Sequence, residues 1–99
     1  MSSRDHEHQL LMRCAQAARG NTRAQKSDEA NLFRLASQLV KSSYPAEATR
    51  LARASDEFFK AHGDTGRMRF PDMVQSGVVR DLPRFRNMLV HYLKDERVW

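Results

Sequence analysis

The sequence predicts an all-α protein, a compact bundle of four to five helices that forms one domain over residues 1–99. Apolar residues recur at intervals of three and four, the spacing of one face of a helix. No segment alternates apolar and polar residues over the length of a strand. Gly and Pro mark most of the junctions between periodic segments, and 40% of the residues are hydrophobic, which is typical of a folded domain.

The first two helices are predicted on either side of a polar loop. The first is expected from about residue 4 to residue 19, with Gly20 as its end. The second is expected to follow Ser27, which is typical of an N-cap. Its apolar residues form a broad face: Leu32, Phe33, Leu35, Ala36, Leu39 and Val40.

Proline predicts the starts of two later helices. A third helix is expected near Pro45, because proline is favoured in the first turn, and it is expected to end at Gly63. The next residues, 63–71, are predicted to be a plain connector. A short helix is expected over residues 72–76. The last helix is expected to begin at Pro83, with Asp81 near its cap, and to run almost to the end of the chain.

The chain is basic, with a formal net charge of +5, a pI near 10.0 and arginine as 13 of its 17 basic residues. This balance favours nucleic acid, an acidic protein partner or an anionic surface, without choosing among them. One stretch, residues 9–27, contains Arg13, Arg19 and Arg23 and no acidic residue. These arginines are candidates for binding phosphate, and pairing with acidic residues elsewhere in the fold is the alternative.

Several classes of site are excluded by composition. Cys14, the single cysteine, lies on the apolar face of the first helix and is expected to be a buried small side chain in a reducing compartment. His6 and His8 do not share a helix face, so no metal or other cofactor is expected. No apolar run is long enough to span a membrane, and the first residues do not resemble a signal peptide. We therefore expect a cytoplasmic protein without a membrane partner.

The predicted last helix carries two different faces. Its apolar face is formed by Leu82, Phe85, Leu89, Tyr92 and Leu93. On the other side, Asn87, His91 and Asp95 follow at four-residue steps, and Arg84 joins them. Histidine is a common general acid and base, and Asp95, four residues later, is placed to orient His91. Arg86 lies at the edge of the apolar face and needs a partner for its charged head. An ordinary solvent-facing stripe is the alternative.

The segment Phe85-Arg86-Asn87-Met88-Leu89-Val90-His91 resembles the signature helix of the HEPN superfamily. That signature is an Arg, usually followed by a polar residue, and a His after four to six intervening positions. The flanking residues are similar to the toxin half of HEPN–MNT toxin–antitoxin pairs. The resemblance implies a helical bundle and a metal-independent endoribonuclease with an antitoxin partner. By this resemblance, Arg86 steadies the scissile phosphate of RNA, Asn87 positions it and His91 moves protons.

Metal-free RNA cleavage needs a base for the 2′-hydroxyl, an acid for the leaving oxygen and a cation on the phosphate. A two-fold dimer supplies the second histidine that such chemistry needs. We therefore expect a homodimer packed partly through residues 83–95. One position departs from the family, because its usual Tyr two residues after the His is replaced by Leu93.

Two other functions stay open. The helical stretches at residues 32–40 and 46–54 resemble modules at the N-termini of some bacterial AAA+ ATPases, which implies a non-catalytic protein-interaction module with a partner such as an ATPase. A helix-turn-helix DNA-binding protein is the third alternative, from the helices on either side of Pro45. That junction lacks the usual Gly-containing turn, and the following helix offers only Arg50 and Arg53 for base edges.

Overall fold

The computed structural model describes residues 3–95 of the chain, with side chains from residue 6 onward. These residues contain five helices and no strand, which confirms the all-α bundle: α1 (Ser3–Ala18), α2 (Ser27–Val40), α3 (Pro45–His62), α4 (Phe70–Gln75) and α5 (Leu82–Lys94). Within that part of the chain, no helix has the length and apolarity needed to cross a bilayer.

The ends of α1 and the start of α5 lie one residue from their predicted positions, and three other predictions need correction. The N-cap predicted at Ser27 is wrong, since Ser27 is the first residue of α2 and Lys26 precedes it without a side-chain cap. Helix α4 begins at Phe70, earlier than predicted. Helix α5 ends at Lys94, because Asp95 has an extended backbone. The predicted run towards Trp99 is therefore too long, and residues 96–99 lie outside the described part of the chain.

Two predicted helix boundaries are confirmed by their hydrogen bonds. Asp81 caps α5 by accepting the backbone N–H of Arg84 at 3.0 Å, and Pro83 lies in the first turn. Gly63 ends α3 with φ of +88° and donates its N–H to the carbonyl oxygen of Phe59 at 2.8 Å. The residue types at these two positions are therefore enough to predict where α5 begins and where α3 ends.

Helix α2 is the centre of the bundle and contacts each of the other four helices. Its apolar residues cover almost the whole circumference, and a helix of that kind is buried. The buried apolar side chains are Ala30, Leu32, Phe33, Leu35, Ala36 and Val40. Between residues 30 and 40, only Arg34, Gln38 and Leu39 are not buried. Helix α2 therefore presents one narrow polar strip to solvent.

Two buried polar side chains on α2 connect it to neighbouring segments. The Ser37 hydroxyl donates to the carbonyl oxygen of Ala48 in α3 at 2.7 Å. The amide of Asn31 donates to the carbonyl oxygen of Gly66 at 2.8 Å and accepts the N–H of Met68 at 3.1 Å. Asn31 thus fixes the loop between α3 and α4 on the central helix, since both of its polar groups are used.

Helix α1 packs against α5 and α3 and also contacts α2. Cys14 is fully buried there, and burial raises the pKa of its thiol, so Cys14 acts as a small apolar side chain. The apolar face predicted for α5 is also buried, through Phe85, Leu89, Tyr92 and Leu93. The opposite face of α5 remains outside the bundle.

We expect Asn31→Ala to lower the free energy of unfolding by about 1–3 kcal/mol, because it leaves two backbone groups of the loop without their partner. Urea unfolding followed by circular dichroism measures the loss. Gln38→Ala is the matched control, since Gln38 is exposed on the same helix, and it should change stability by less than about 0.5 kcal/mol. Equal losses in the two variants would contradict this role of Asn31.

Candidate functional site

Arg86 joins α5 to the C-terminal end of α2. Its Nε donates to the carbonyl oxygen of Leu39 at 3.1 Å, and its Nη2 donates to the hydroxyl of Ser43 at 3.0 Å. The last carbonyl groups of a helix lack intrahelical partners and carry partial negative charge. The guanidinium of Arg86 satisfies one of them and so connects two helices.

Asn87 and His91 lie on the exposed face of α5, as predicted. The Oδ1 atom of Asn87 is 3.4 Å from Nη1 of Arg86, so these two residues are brought together. Among residues 6–95, no hydrogen bond joins the His91 side chain to either of them. The Asp95 backbone N–H donates to the carbonyl oxygen of His91 at 3.1 Å. The stripe is therefore a shared surface rather than a connected hydrogen-bond network.

Arg84 forms an ion pair across α1 and α5. Its Nη1 lies 2.7 Å from both carboxylate oxygens of Glu7. Close by, His8 of α1 hydrogen-bonds through Nδ1 to the hydroxyl of Tyr92. Burial and the Glu7 charge raise the pKa of Tyr92. These contacts form a polar seam between the two helices and engage the Arg84 head.

Arg13 pairs with an acidic residue of the fold, which was one of the two alternatives for the basic stretch. Its Nε and Nη2 each donate to the Glu29 carboxylate at 2.7 Å. Arg13 also donates from Nη1 to the Thr22 hydroxyl at 2.8 Å and from Nη2 to the carbonyl oxygen of Arg23 at 3.0 Å. The Glu29 side chain is only 14% exposed. This guanidinium is fully engaged in joining α1 to the loop and to α2.

Arg19 also binds another element of the fold, whereas Arg23 faces solvent. The Nη2 of Arg19 donates to the carbonyl oxygen of Leu93 at 2.9 Å, near the end of α5. Arg23 is exposed and lies beside Phe58 and His62 of α3. Arg13 and Arg19 thus bind other elements of the bundle while Arg23 faces outward, so the three do not form one surface.

A groove of about 630 Å³ lies between α2 and α3, and we call it the helix groove. Four basic residues line it, Arg34 and Lys41 from α2 and its end, and Arg53 and Lys60 from α3. Each pair is seven residues apart, which is two turns or about 10.5 Å along a helix. Small apolar side chains, including Ala48 and Ala52, also line the groove.

Positive charge is in excess in the helix groove, because four cationic side chains line it together with only two carboxylates, those of Asp56 and Glu57. Asp56 is already engaged, since it accepts from Arg67 at 2.8 Å and lies 3.5 Å from Arg34. The other three cations are Lys41, Arg53 and Lys60, and none of them forms an ion pair or hydrogen bond within residues 6–95. The groove is therefore a positively charged surface with uncommitted donors.

One end of the helix groove reaches an exposed apolar patch, defined as Met68 and Phe70. These side chains are 38% and 39% exposed. A second cavity of about 290 Å³ shares Arg34 and Gln38 with the groove and is also lined by Met68 and Phe70. The groove and the apolar patch form one continuous surface, and Asn31 holds the loop between them.

Sequence reasoning missed this surface. Arg34, Gln38 and Lys41 recur at four and three residues on an otherwise apolar helix, and that pattern is the signal in the sequence. Arg53 and Lys60 show the same seven-residue spacing as Arg34 and Lys41. The prediction of a plain connector over residues 63–71 also hid Met68 and Phe70, whose exposure depends on the tertiary fold.

Neither metal chemistry nor relatives point to another site. Within residues 6–95, no group of three or more His, Cys, Asp or Glu side chains is placed to hold a metal ion. No protein-family model matches the chain, and neither a curated protein nor a solved structure shows significant similarity to it. The surfaces of α5 and of the helix groove are therefore the two candidate sites.

We expect Arg86→Ala to lower the free energy of unfolding by about 1–3 kcal/mol, because it removes charged donors from the end of α2. His91→Ala and Asn87→Ala should each change it by less than about 0.5 kcal/mol, since both side chains are exposed. Urea unfolding measures all three. Arg86→Lys keeps the charge but lacks the planar guanidinium, so its free energy of unfolding should lie between those of Arg86→Ala and the unchanged protein. Unchanged stability in Arg86→Ala would contradict the contact with α2.

The Arg13–Glu29 pair predicts a pH dependence of stability. Burial opposes the charged form of Glu29, but hydrogen bonds from Arg13 and from the Gln25 N–H outweigh it and hold its pKa below the usual range. A carboxyl group whose pKa is lowered by folding stabilises the fold at pH values above its pKa in the unfolded chain, about 4.3. That contribution is lost as the pH falls through the lower, folded value.

Glu29→Gln should therefore lower the free energy of unfolding by about 2 kcal/mol at neutral pH, a loss between those of exposed and fully buried pairs. The difference from the unchanged protein should shrink as the pH falls below about 4.3. Urea unfolding from pH 7 to pH 3 measures it. Glu57→Gln is the control, since Glu57 is exposed, and should have little effect throughout. A difference for Glu29→Gln that stays constant with pH would contradict the account.

Proposed function

We propose that the chain is a non-catalytic helical module that binds a protein partner in the helix groove. One observation carries this proposal: the helix groove has uncommitted cations on both sides and adjoins the exposed side chains of Met68 and Phe70. Large exposed apolar patches rimmed by polar residues mark interaction sites in proteins. Uncommitted charges beside them provide the rim that steers a charged partner.

Four of the five arginines that the sequence suggested for phosphate binding bind the fold itself, and only Arg23 faces outward. Arg86 and Arg19 donate to carbonyl oxygens of other elements, and Arg13 and Arg84 donate to carboxylates. Catalysis of phosphate transfer needs donors aimed at the position where charge develops. Donors that already bind the fold have to be released first, at a cost in stability.

The second candidate is the HEPN-like endoribonuclease. Asn87 and His91 share the exposed face of α5, and Arg86 places one nitrogen beside Asn87, which favours this candidate. It requires a homodimer about α5 so that two copies of His91 meet across the two-fold axis. For the helix-turn-helix alternative, α3 exposes Arg50 and Arg53 but also Asp56 and Glu57, so the charge of this helix does not favour DNA in particular.

Selection of displayed helical peptides against the chain tests the proposal. We expect enriched peptides whose affinity falls at least about tenfold in Phe70→Ser or Arg53→Glu, since each change removes part of the surface, and stays unchanged in His91→Ala. Fluorescence anisotropy with the synthesised peptides measures the affinity, and circular dichroism checks that each variant is folded.

Two results would contradict the proposal. One is a set of peptides whose binding is indifferent to both groove variants. The other is cleavage of single-stranded RNA in the presence of a chelator that His91→Ala abolishes, together with sedimentation of a dimer that substitutions on the outer face of α5 dissociate. That second pattern would establish the ribonuclease candidate instead.

A further inference from the structure

We infer that the partner presents an acidic amphipathic helix, which lies along the helix groove between α2 and α3. This inference rests on the proposed function and names the chemistry of its partner. The occupant has one face of apolar residues towards the groove. Asp or Glu residues flank that face at seven-residue spacing, opposite the cations of α2 and α3.

The spacing of the groove cations fits a helix better than an extended chain. Arg34 and Lys41 lie two turns apart on one side, and Arg53 and Lys60 lie two turns apart on the other. A third helix parallel to α2 and α3 repeats its own carboxylates at the same interval, about 10.5 Å for seven residues. Both rows of cations then meet acidic side chains without a change in the groove.

Small side chains let such a helix come close. The distance between packed helices is 8–10 Å and is set by the side chains at the contact. Ala48, Ala52 and Pro45 line the groove, and none of them projects a long side chain. The lining residues of α3 run from Pro45 to Lys60, about 22 Å along the helix, which accommodates an occupant of about four turns.

The apolar patch supplies an anchor at one end of the groove. Phe70 is 39% exposed and Met68 is 38% exposed, and both reach the cavity that adjoins the groove at Arg34 and Gln38. Aromatic anchors at an interface contribute much of its affinity, and methionine adapts to the shape of its partner. Because Asn31 holds both ends of the Gly66–Met68 turn, the anchor is positioned before binding.

The same features disfavour RNA and a second copy of the chain. No aromatic side chain lines the groove between α2 and α3, and the adjoining patch offers the single ring of Phe70, although single-stranded nucleic acid binds largely by stacking successive bases on aromatic rings. A second copy carries a net charge of +5 and is repelled rather than attracted by the groove cations.

The probe is a synthetic 18-residue helical peptide with Ala and Leu on one face, Glu on both flanks and a fluorescein label. A matched peptide carries Lys at every Glu position. Fluorescence anisotropy with the full chain should show binding of the Glu peptide, no binding of the Lys peptide, and weaker binding as salt rises, because salt screens exposed charges.

The double variant Arg53→Glu/Lys60→Glu should weaken the Glu peptide at least about tenfold, and Phe70→Ser should weaken it at moderate salt. The matched control is Lys26→Glu/Lys94→Glu, which changes the net charge equally at exposed positions outside the groove and should stay within about twofold. Circular dichroism confirms the fold of each variant, and Arg53→Gln/Lys60→Gln replaces the reversal if that variant unfolds.

Three results would overturn the inference. If the Glu peptide fails to bind while display-selected helices of other composition still depend on the groove, the acidic partner is wrong and the proposed function stands. If no helical peptide of any kind depends on the groove, both fall. If labelled oligouridine binds in place of the peptide and is weakened by the same double variant, the groove is a nucleic-acid site.

Discussion

The burial of α2 on almost every side is the constraint on which the rest of the structure depends. Phe33 and Leu35 are fully buried in a helix that meets all four others, so its neighbours have little freedom in where they pack. The single strip left to solvent contains Arg34 and Gln38 and forms one side of the helix groove. The position of the groove therefore follows from the same packing that holds the bundle together.

Arginine plays an internal role in this small bundle. Arg86 and Arg19 donate to backbone carbonyl oxygens near the ends of helices, while Arg13 and Arg84 form ion pairs between elements. A domain of this size has a modest core, and charge-assisted hydrogen bonds between helices add to what apolar burial supplies. A high arginine content by itself thus says little about binding phosphates, because part of it serves the fold.

Local patterns predicted the helices and the buried face of α5, because periodicity, proline and glycine act over a few residues. The cap expected at Ser27 was wrong, because Ser27 is itself the first helical residue of α2 and Lys26 occupies the cap position. On α5, the exposure of Asn87 and His91 was predicted correctly. The partner of Arg86 was not predictable, because nothing in the sequence places the end of α2 beside α5. The helix groove was not predictable from the sequence for the same reason, since its two rows of cations come from different helices.

Amide chemical-shift mapping tests most directly that this groove is the binding surface. On adding an acidic amphipathic helix, we expect shifts along residues 34–41, 45–60 and 66–70 and none along the outer face of α5. Shifts confined to residues 84–94, with none in the groove, would contradict the account and would indicate that the face of α5 with Asn87 and His91 is the binding surface.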